Sequence, residues 1–120
     1  MKIKLFDSEL KVMEVLWREG DLTAGQLACI LKEETGWNRN TTYTVIKRLI
    51  DKGAIKKETP GFICRPAVSK RTIQKTETKA LINKYFSGSL NNFFTEYLKN
   101  QSLSTSELLE LQRIISEQKR

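Results

Sequence analysis

The stretch Trp37–Gly53, WNRNTTYTVIKRLIDKG, constrains the chain more than any other. Placed at about 100° of helical rotation per residue, its side chains sort onto two incompatible faces. Thr42, Val45, Ile46, Leu49 and Ile50 gather on one side and require a core. Arg39, Asn40, Tyr43, Lys47 and Asp51 gather on the other, with Thr41, Thr44 and Arg48 at the borders. An amide at Asn38 or Asn40 can cap the start, and Gly53 suits the left-handed position after the end. The polar side offers cations, an amide, a phenol and hydroxyls, which hydrogen-bond phosphate oxygens and base edges. A solvated surface helix has a similar composition, so the flanking segments must decide between the two.

Upstream, Asp7 or Ser8 can open a first helix in which Leu10, Met13, Leu16 and Trp17 recur at helical spacing. Glu9, Lys11, Glu14 and Arg18 fill its other side, and Gly20 ends it. Leu22-Thr23 is short and extended. Thr23-Ala-Gly-Gln26 has the spacing of a capping box, and Leu27, Ala28, Ile30 and Leu31 supply the buried stripe of a second helix that stops at Gly36. Two helices joined by a short turn, the second polar and basic outside, have the layout of a helix-turn-helix. Downstream, Ala54–Thr59 and Phe62–Arg65 are short extended segments around a Pro60-Gly61 turn. They predict a hairpin carrying Lys56, Lys57 and Arg65. Two strands alone are marginal, so this hairpin must pack on the helices. The result is a winged helix over residues 1–68, mainly α with a small β wing.

The charge supports a polyanionic partner. Residues 1–75 carry fifteen Lys/Arg against nine Asp/Glu, whereas residues 76–120 carry six against five, so nearly all of the net +7 lies in the first two-thirds of the chain, where the two-faced helix lies. Enzymatic chemistry finds little support. The chain has no histidine, no glycine-rich phosphate loop and no recognisable nucleophile with a partner. Its two cysteines, Cys29 and Cys64, are too few and too far apart for a metal cluster, and Cys29 reads as a small core residue of the second helix. No cofactor is expected. The start of the chain lacks a secretion signal and no apolar run is long enough to span a bilayer. A cytoplasmic protein without a disulfide and without membrane insertion is expected.

Residues 69–120 predict a second, helical domain. Ser69 starts a long polar helix that gains an apolar face towards Leu81, Ile82 and Tyr85; Ser87-Gly88-Ser89 breaks it. Leu90, Phe93, Phe94, Tyr97 and Leu98 form another amphipathic segment. Ser104-Thr-Ser-Glu107 is a second capping box and opens a last helix with Leu108, Leu111, Ile114 and Ile115 on one side. So short a segment cannot bury all these large side chains by itself, and each is worth about 1.5–3 kcal/mol when buried. A symmetric second copy is the simplest cover. Leu81, Tyr85, Phe93, Phe94, Tyr97, Leu108, Leu111, Ile114 and Ile115 are therefore the candidate dimerisation residues.

The chain resembles the penicillinase and methicillin-resistance repressors, the BlaI/MecI type, which are related to the copper-responsive CopY type. The likeness runs through Ser8-Glu9-Leu10…Met13…Leu16-Trp17, then Trp37…Thr41…Tyr43-Thr44…Lys47-Arg48-Leu49…Lys52-Gly53, to Leu103-Ser104…Glu107-Leu108…Leu111. It implies a homodimeric winged-helix repressor on palindromic double-stranded operators. Arg39, Asn40, Thr41, Tyr43, Thr44 and Lys47 would then face the major groove, while Arg48, Lys56, Lys57 and Arg65 would meet phosphates. It also implies induction by a β-lactam-responsive membrane sensor with a metalloprotease domain, which cuts such repressors at an Asn-Phe step in the dimerisation domain. Glu96-Tyr97 stands at the corresponding place here, and Asn92-Phe93 lies four residues earlier. The cysteine-rich tail of the copper-responsive relatives has no counterpart, because residues 65–120 contain no cysteine. Two other functions fit the same architecture: release from DNA by a small molecule bound among the aromatics of residues 85–97, or a winged helix that binds protein and not DNA.

Overall fold

The computed structural model describes residues 3–118; the outermost two residues of each expected domain limit, 1, 2, 119 and 120, lie outside that range. Among the described residues, six helices and three strands follow one another as α1 (Asp7–Glu19), β1 (Leu22–Thr23), α2 (Ala24–Thr35), α3 (Arg39–Lys52), β2 (Ile55–Glu58), β3 (Ile63–Pro66), α4 (Lys70–Phe86), α5 (Leu90–Lys99) and α6 (Thr105–Glu117). The chain divides into two compact units, Met1–Lys79 and Ala80–Arg120, with the division inside α4.

In the first unit, α1, α2 and α3 close around Val12, Met13, Leu16, Leu27, Leu31, Val45, Ile46 and Leu49, all buried. Each helix is stopped or started by a local device. The Thr23 hydroxyl accepts from the Gln26 amide at 3.1 Å while the Gln26 side chain accepts from the Thr23 amide at 2.9 Å, so the expected capping box starts α2. Asn38 caps α3 through Oδ1, which accepts from the Thr41 amide at 2.8 Å. Gly53 ends it at φ 84°, ψ 11°, and the Ala54 amide reaches back to the Leu49 carbonyl at 2.9 Å, as a left-handed helix stop requires.

The wing is a three-stranded antiparallel sheet in the order β1-β3-β2. Leu22 and Thr23, expected only to be extended, pair with Cys64 and Ile63, while β2 pairs with β3 from Ile55↔Pro66 to Glu58↔Ile63. The added strand provides the support that a two-stranded hairpin lacks. Behind the sheet, the Trp17 indole nitrogen donates to the Val68 carbonyl at 2.9 Å and fixes the chain as it leaves the wing. In α4, Ser69 accepts from the Thr72 amide at 3.0 Å, and Ile73 is buried.

Three expectations for side chains are overturned. Leu10 is 38 % exposed, and Val12 and Val15 take its place in the core. Cys29 is exposed, because the inward stripe of α2 is Ala24, Leu27, Ala28 and Leu31. Glu9 is fully buried and not on the solvent side. Its carboxylate is held from both sides: Oε1 accepts from the Phe6 amide at 2.9 Å and from the Lys52 ammonium, at the far end of α3, at 2.6 Å.

In the second unit, Ser89 caps α5 and Ser104 caps α6, the latter in a reciprocal box with Glu107. Phe93 is the centre of an aromatic cluster. Its ring stacks on Tyr97 at 5.8 Å and meets Phe86 and Phe94 edge-on at 5.2 and 5.1 Å. Much apolar surface stays open within the chain. Tyr85 is 67 % and Ile115 61 % exposed, and Leu81, Leu90, Leu108, Leu109 and Ile114 are exposed as well. A groove of about 620 Å³ runs between α5 and α6, lined by Leu90, Phe94, Leu98, Leu108, Leu111 and Ile115 among others.

Candidate nucleic-acid interface

Helix α3 presents the two faces that its sequence dictates. Thr42, Val45, Ile46 and Leu49 are buried; Arg39, Asn40, Thr41, Thr44, Lys47 and Arg48 are exposed. No acidic residue stands in the first turn, so the positive end of the helix dipole is left uncompensated beside these groups. Arg39 aggravates this, since a cation at a helix N-terminus is disfavoured by about 0.3–1 kcal/mol. Tyr43, one turn on, offsets it. The Arg39 guanidinium carbon sits 4.9 Å from the Tyr43 ring centroid, and Nη2 donates to the phenol oxygen at 2.9 Å. A locally unfavourable charge held by a dedicated neighbour is the pattern expected where function overrides local stability.

The predicted residues differ in how free they are. Asn40, Lys47 and Lys56 are exposed. The Thr44 hydroxyl donates to the Asn40 carbonyl at 2.9 Å. Arg48 turns towards α1, with Nη2 donating to the Ser8 hydroxyl at 3.2 Å and Nε 3.9 Å from Glu9 Oε2. In the wing, Arg65 Nε is shared between Glu58 at 2.9 Å and Asp21 at 3.3 Å, so its charge is locally neutralised. Lys57 is not paired with a carboxylate in that cluster; its ammonium lies 4.2 Å from the centre of the Phe62 ring. The structure thus gathers Arg39, Asn40, Tyr43 and Lys47 on one helix face, and leads from Tyr43 through Phe62 to Lys57 in the wing. Arg48 and Arg65 stand apart, each engaged by side chains of its own unit.

Two contributors escaped sequence reasoning. Phe62 read only as a strand residue, although an aromatic directly after Pro-Gly in a basic hairpin is a visible signal. Lys52 closes α3 by donating to Glu9 Oε1 at 2.6 Å and to the Lys4 carbonyl at 2.8 Å, with the Phe6 ring 4.3 Å from its ammonium. It ties the end of α3 to the start of α1. Burial disfavours the charge on Glu9, but the Lys52 hydrogen bond, the Phe6 amide and the charges of Lys52 and Arg48 together hold its carboxyl below the ordinary value. Among the described residues, no group of three or more Cys, Asp or Glu could hold a metal ion, and no helix is long and apolar enough to cross a membrane.

The same architecture occurs in solved structures. The DNA-binding domain of the repressor BlaI superposes with a TM-score of 0.53 at 30 % identity, covering 58 % of this chain and 90 % of that one. The Bacillus licheniformis BlaI monomer in complex with the blaP half-operator gives 0.51 at 30 % identity, over 57 % of this chain and 85 % of that one. Along the sequence, the chain is 29 % identical to the penicillinase repressor of Bacillus licheniformis over 118 residues, covering 97 % of this chain and 92 % of the relative. It is 27 % identical to the methicillin resistance regulatory protein MecI of Staphylococcus aureus over 115 residues, 94 % of each. A winged helix-turn-helix with a basic recognition face, followed by a helical unit, is the architecture of a transcriptional repressor. The chain belongs to the penicillinase repressor family, whose model matches residues 5–117.

Proposed function

We propose that the chain is a sequence-specific DNA-binding repressor that acts as a homodimer on a palindromic operator. The observation that carries this reading is the exposed face of α3, with Arg39, Asn40, Tyr43 and Lys47 together and no acidic residue in the first turn, on the fold of a relative solved with its half-operator. Asn40, Thr41, Tyr43, Thr44 and Lys47 read base edges, and Arg39 works with Tyr43. Lys56 and Lys57 contact phosphates, with Arg48 and Arg65 contributing once their carboxylate partners are exchanged for phosphate oxygens. Residues 1–68 carry the DNA-binding function and residues 69–120 the dimerisation function. The exposed apolar surface of α5 and α6 supports a second copy as the occupant of the groove between them. Two-fold symmetry then demands half-sites about one helical turn, or a multiple, apart. Repression follows from occupancy of a promoter, in the cytoplasm, and no catalytic role is assigned to any residue.

Relief by a membrane metalloprotease completes the reading. Both Asn92–Phe93 and Glu96–Tyr97 lie within α5, so a cut at either bond requires α5 to unwind locally. Fragment masses from the induced cell distinguish the two bonds.

The test is a titration of duplexes selected by the protein from a random-sequence pool against scrambled duplexes of equal length, at several salt concentrations. Asn40→Ala and Tyr43→Ala should each lose about 1–3 kcal/mol of discrimination. Lys57→Ala should weaken binding to every duplex and lower the salt slope by about one. Failure of the pool to yield an enriched, two-fold symmetric site would refute the reading.

A further inference from the structure

Phe62 touches the wing, the start of α2 and the recognition helix at once. Its carbonyl accepts from the Ala24 amide, the first of α2, at 3.0 Å. Its ring meets the Tyr43 ring edge-on, with centroids 5.9 Å apart and an interplanar angle of 89°. Lys57 places its ammonium 4.2 Å from the centre of the same ring. Arg39 in turn lies over Tyr43 and bonds its hydroxyl. The four side chains form a continuous series, Lys57–Phe62–Tyr43–Arg39, from β2 to the first turn of α3. Both ends are cations, and both inner members are aromatic rings whose faces attract them.

The backbone at Phe62 supports a dedicated role. Its φ is +48°, a left-handed conformation that costs a residue with a β-carbon about 1–2 kcal/mol. Such a conformation persists only where the surroundings hold it. The left-handed backbone at Phe62 accompanies a ring half-buried against Tyr43 and a carbonyl directed at α2.

We propose that Phe62 is a positioning residue for sequence discrimination: its ring fixes Tyr43 on the recognition face and Lys57 beside it, and so sets the register between the wing and α3. This deepens the proposed DNA-binding reading and rests on it. A phosphate contact from the wing and a base contact from α3 are useful together only if the distance between them is fixed before binding. Otherwise, ordering the two long side chains would consume the affinity they supply. The series achieves this without a carboxylate, and among the described residues neither cation is held in an ion pair. Arg65, held by Glu58 and Asp21, shows the alternative that a wing cation can take.

Phe62→Leu keeps apolar volume but removes the ring edge and face; Phe62→Trp keeps both. With the selected and scrambled duplexes as probes, Phe62→Leu should lower the ratio of their affinities by about tenfold, and Phe62→Trp should retain most of it. In the free protein, Phe62→Leu should shift the Tyr43 ring-proton resonances while leaving those of the Val45, Ile46 and Leu49 methyls in place. A double-mutant cycle with Tyr43→Leu should be non-additive, the second substitution costing little once the first is made. If Asn40→Ala lowers discrimination but Phe62→Leu does not, the positioning role falls and the DNA-binding reading stands. An equal loss of affinity for both duplexes in Phe62→Leu, with a lowered melting temperature, would mean that Phe62 serves stability alone and would also overturn the proposal. If Phe62→Leu does not fold, Phe62→Trp decides: loss of discrimination together with unmoved Tyr43 resonances contradicts the role. A wild-type protein that enriches no duplex would instead remove the reading on which the role rests.

Discussion

Glu9 is fully buried with one carboxylate oxygen, Oε2, that accepts no hydrogen bond. Its ionised state survives because Lys52 and the Phe6 amide share the other oxygen and Arg48 lies 3.9 Å away. Breaking a buried pair leaves a charge without compensation, so Lys52→Ala should cost on the order of 3 kcal/mol of stability in urea unfolding. The pH dependence has a definite sign. The folded-state value lies below the ordinary 4.5, so the ionised group adds stability above about pH 4.5 and loses that contribution as the pH falls through its folded value. Unfolding of wild type and Glu9→Gln should therefore converge in free energy as the pH is lowered from neutral through the folded-state value, below 4.5; parallel curves would contradict the assignment. The two thiols should also separate. Burial pushes the Cys64 thiol up to about 11, although nearby Lys57 opposes the shift, and thiolate is the reactive form. A thiol reagent should label exposed Cys29 in the native protein and Cys64 only after unfolding. Labelling of both at equal rates would show that the wing opens readily.

At the scale of elements, α3 owes its start to a single side chain. Asn38 supplies the cap for the first turn, and Asn38→Ala should destabilise the unit by about 1 kcal/mol. Because that turn carries Arg39, Asn40 and Thr41, discrimination between duplexes should fall further than stability, which thermal melts and titrations can separate. The caps at Thr23 and Ser104 were legible from residue type and spacing, and that of α3 was narrowed to Asn38 or Asn40, since each requires only contacts three residues apart. So was the two-sided character of α3. The strand at Leu22-Thr23 was not fully legible, because two residues carry no period and pair only when β3, some forty positions later, comes beside them. Glu9 misled for a similar reason. Its neighbours Lys11 and Arg18 do face solvent, but its partner Lys52 lies 43 positions away.

For the whole molecule, the open question of physics is the cover of the second unit. Exposed Leu90, Phe94, Tyr97, Leu108, Leu109, Ile114 and Ile115 on α5 and α6 leave much apolar surface open to water around one groove, and exposed apolar patches mark interaction surfaces. Leu108→Glu together with Ile115→Glu should yield a monomer by sedimentation equilibrium. Operator affinity should then drop by a large factor, because two half-sites no longer bind as one. A double variant that still sediments as a dimer would locate the interface elsewhere. A wild-type monomer at micromolar concentration would dismiss dimerisation through this surface altogether.

The sequence by itself determined the order of the helices, the capping boxes at Thr23 and Ser104, the stops at Gly20, Gly36 and Gly53, that the basic excess lies in the first 75 residues, and that the tail holds many large apolar side chains for its length. These follow from local periodicity, capping chemistry and charge counts, all of which act within a few residues. Only the tertiary structure decided that Glu9 lies inside and Leu10 and Cys29 outside, that β1 completes the wing, and that Arg48 and Arg65 are engaged by carboxylates of their own unit while Lys57 lies against Phe62. Most of those outcomes depend on which side chains meet across 19 to 44 positions of chain. Periodicity assigns a residue to a face, but the partner waiting on that face is fixed only when the helices and the sheet close on one another.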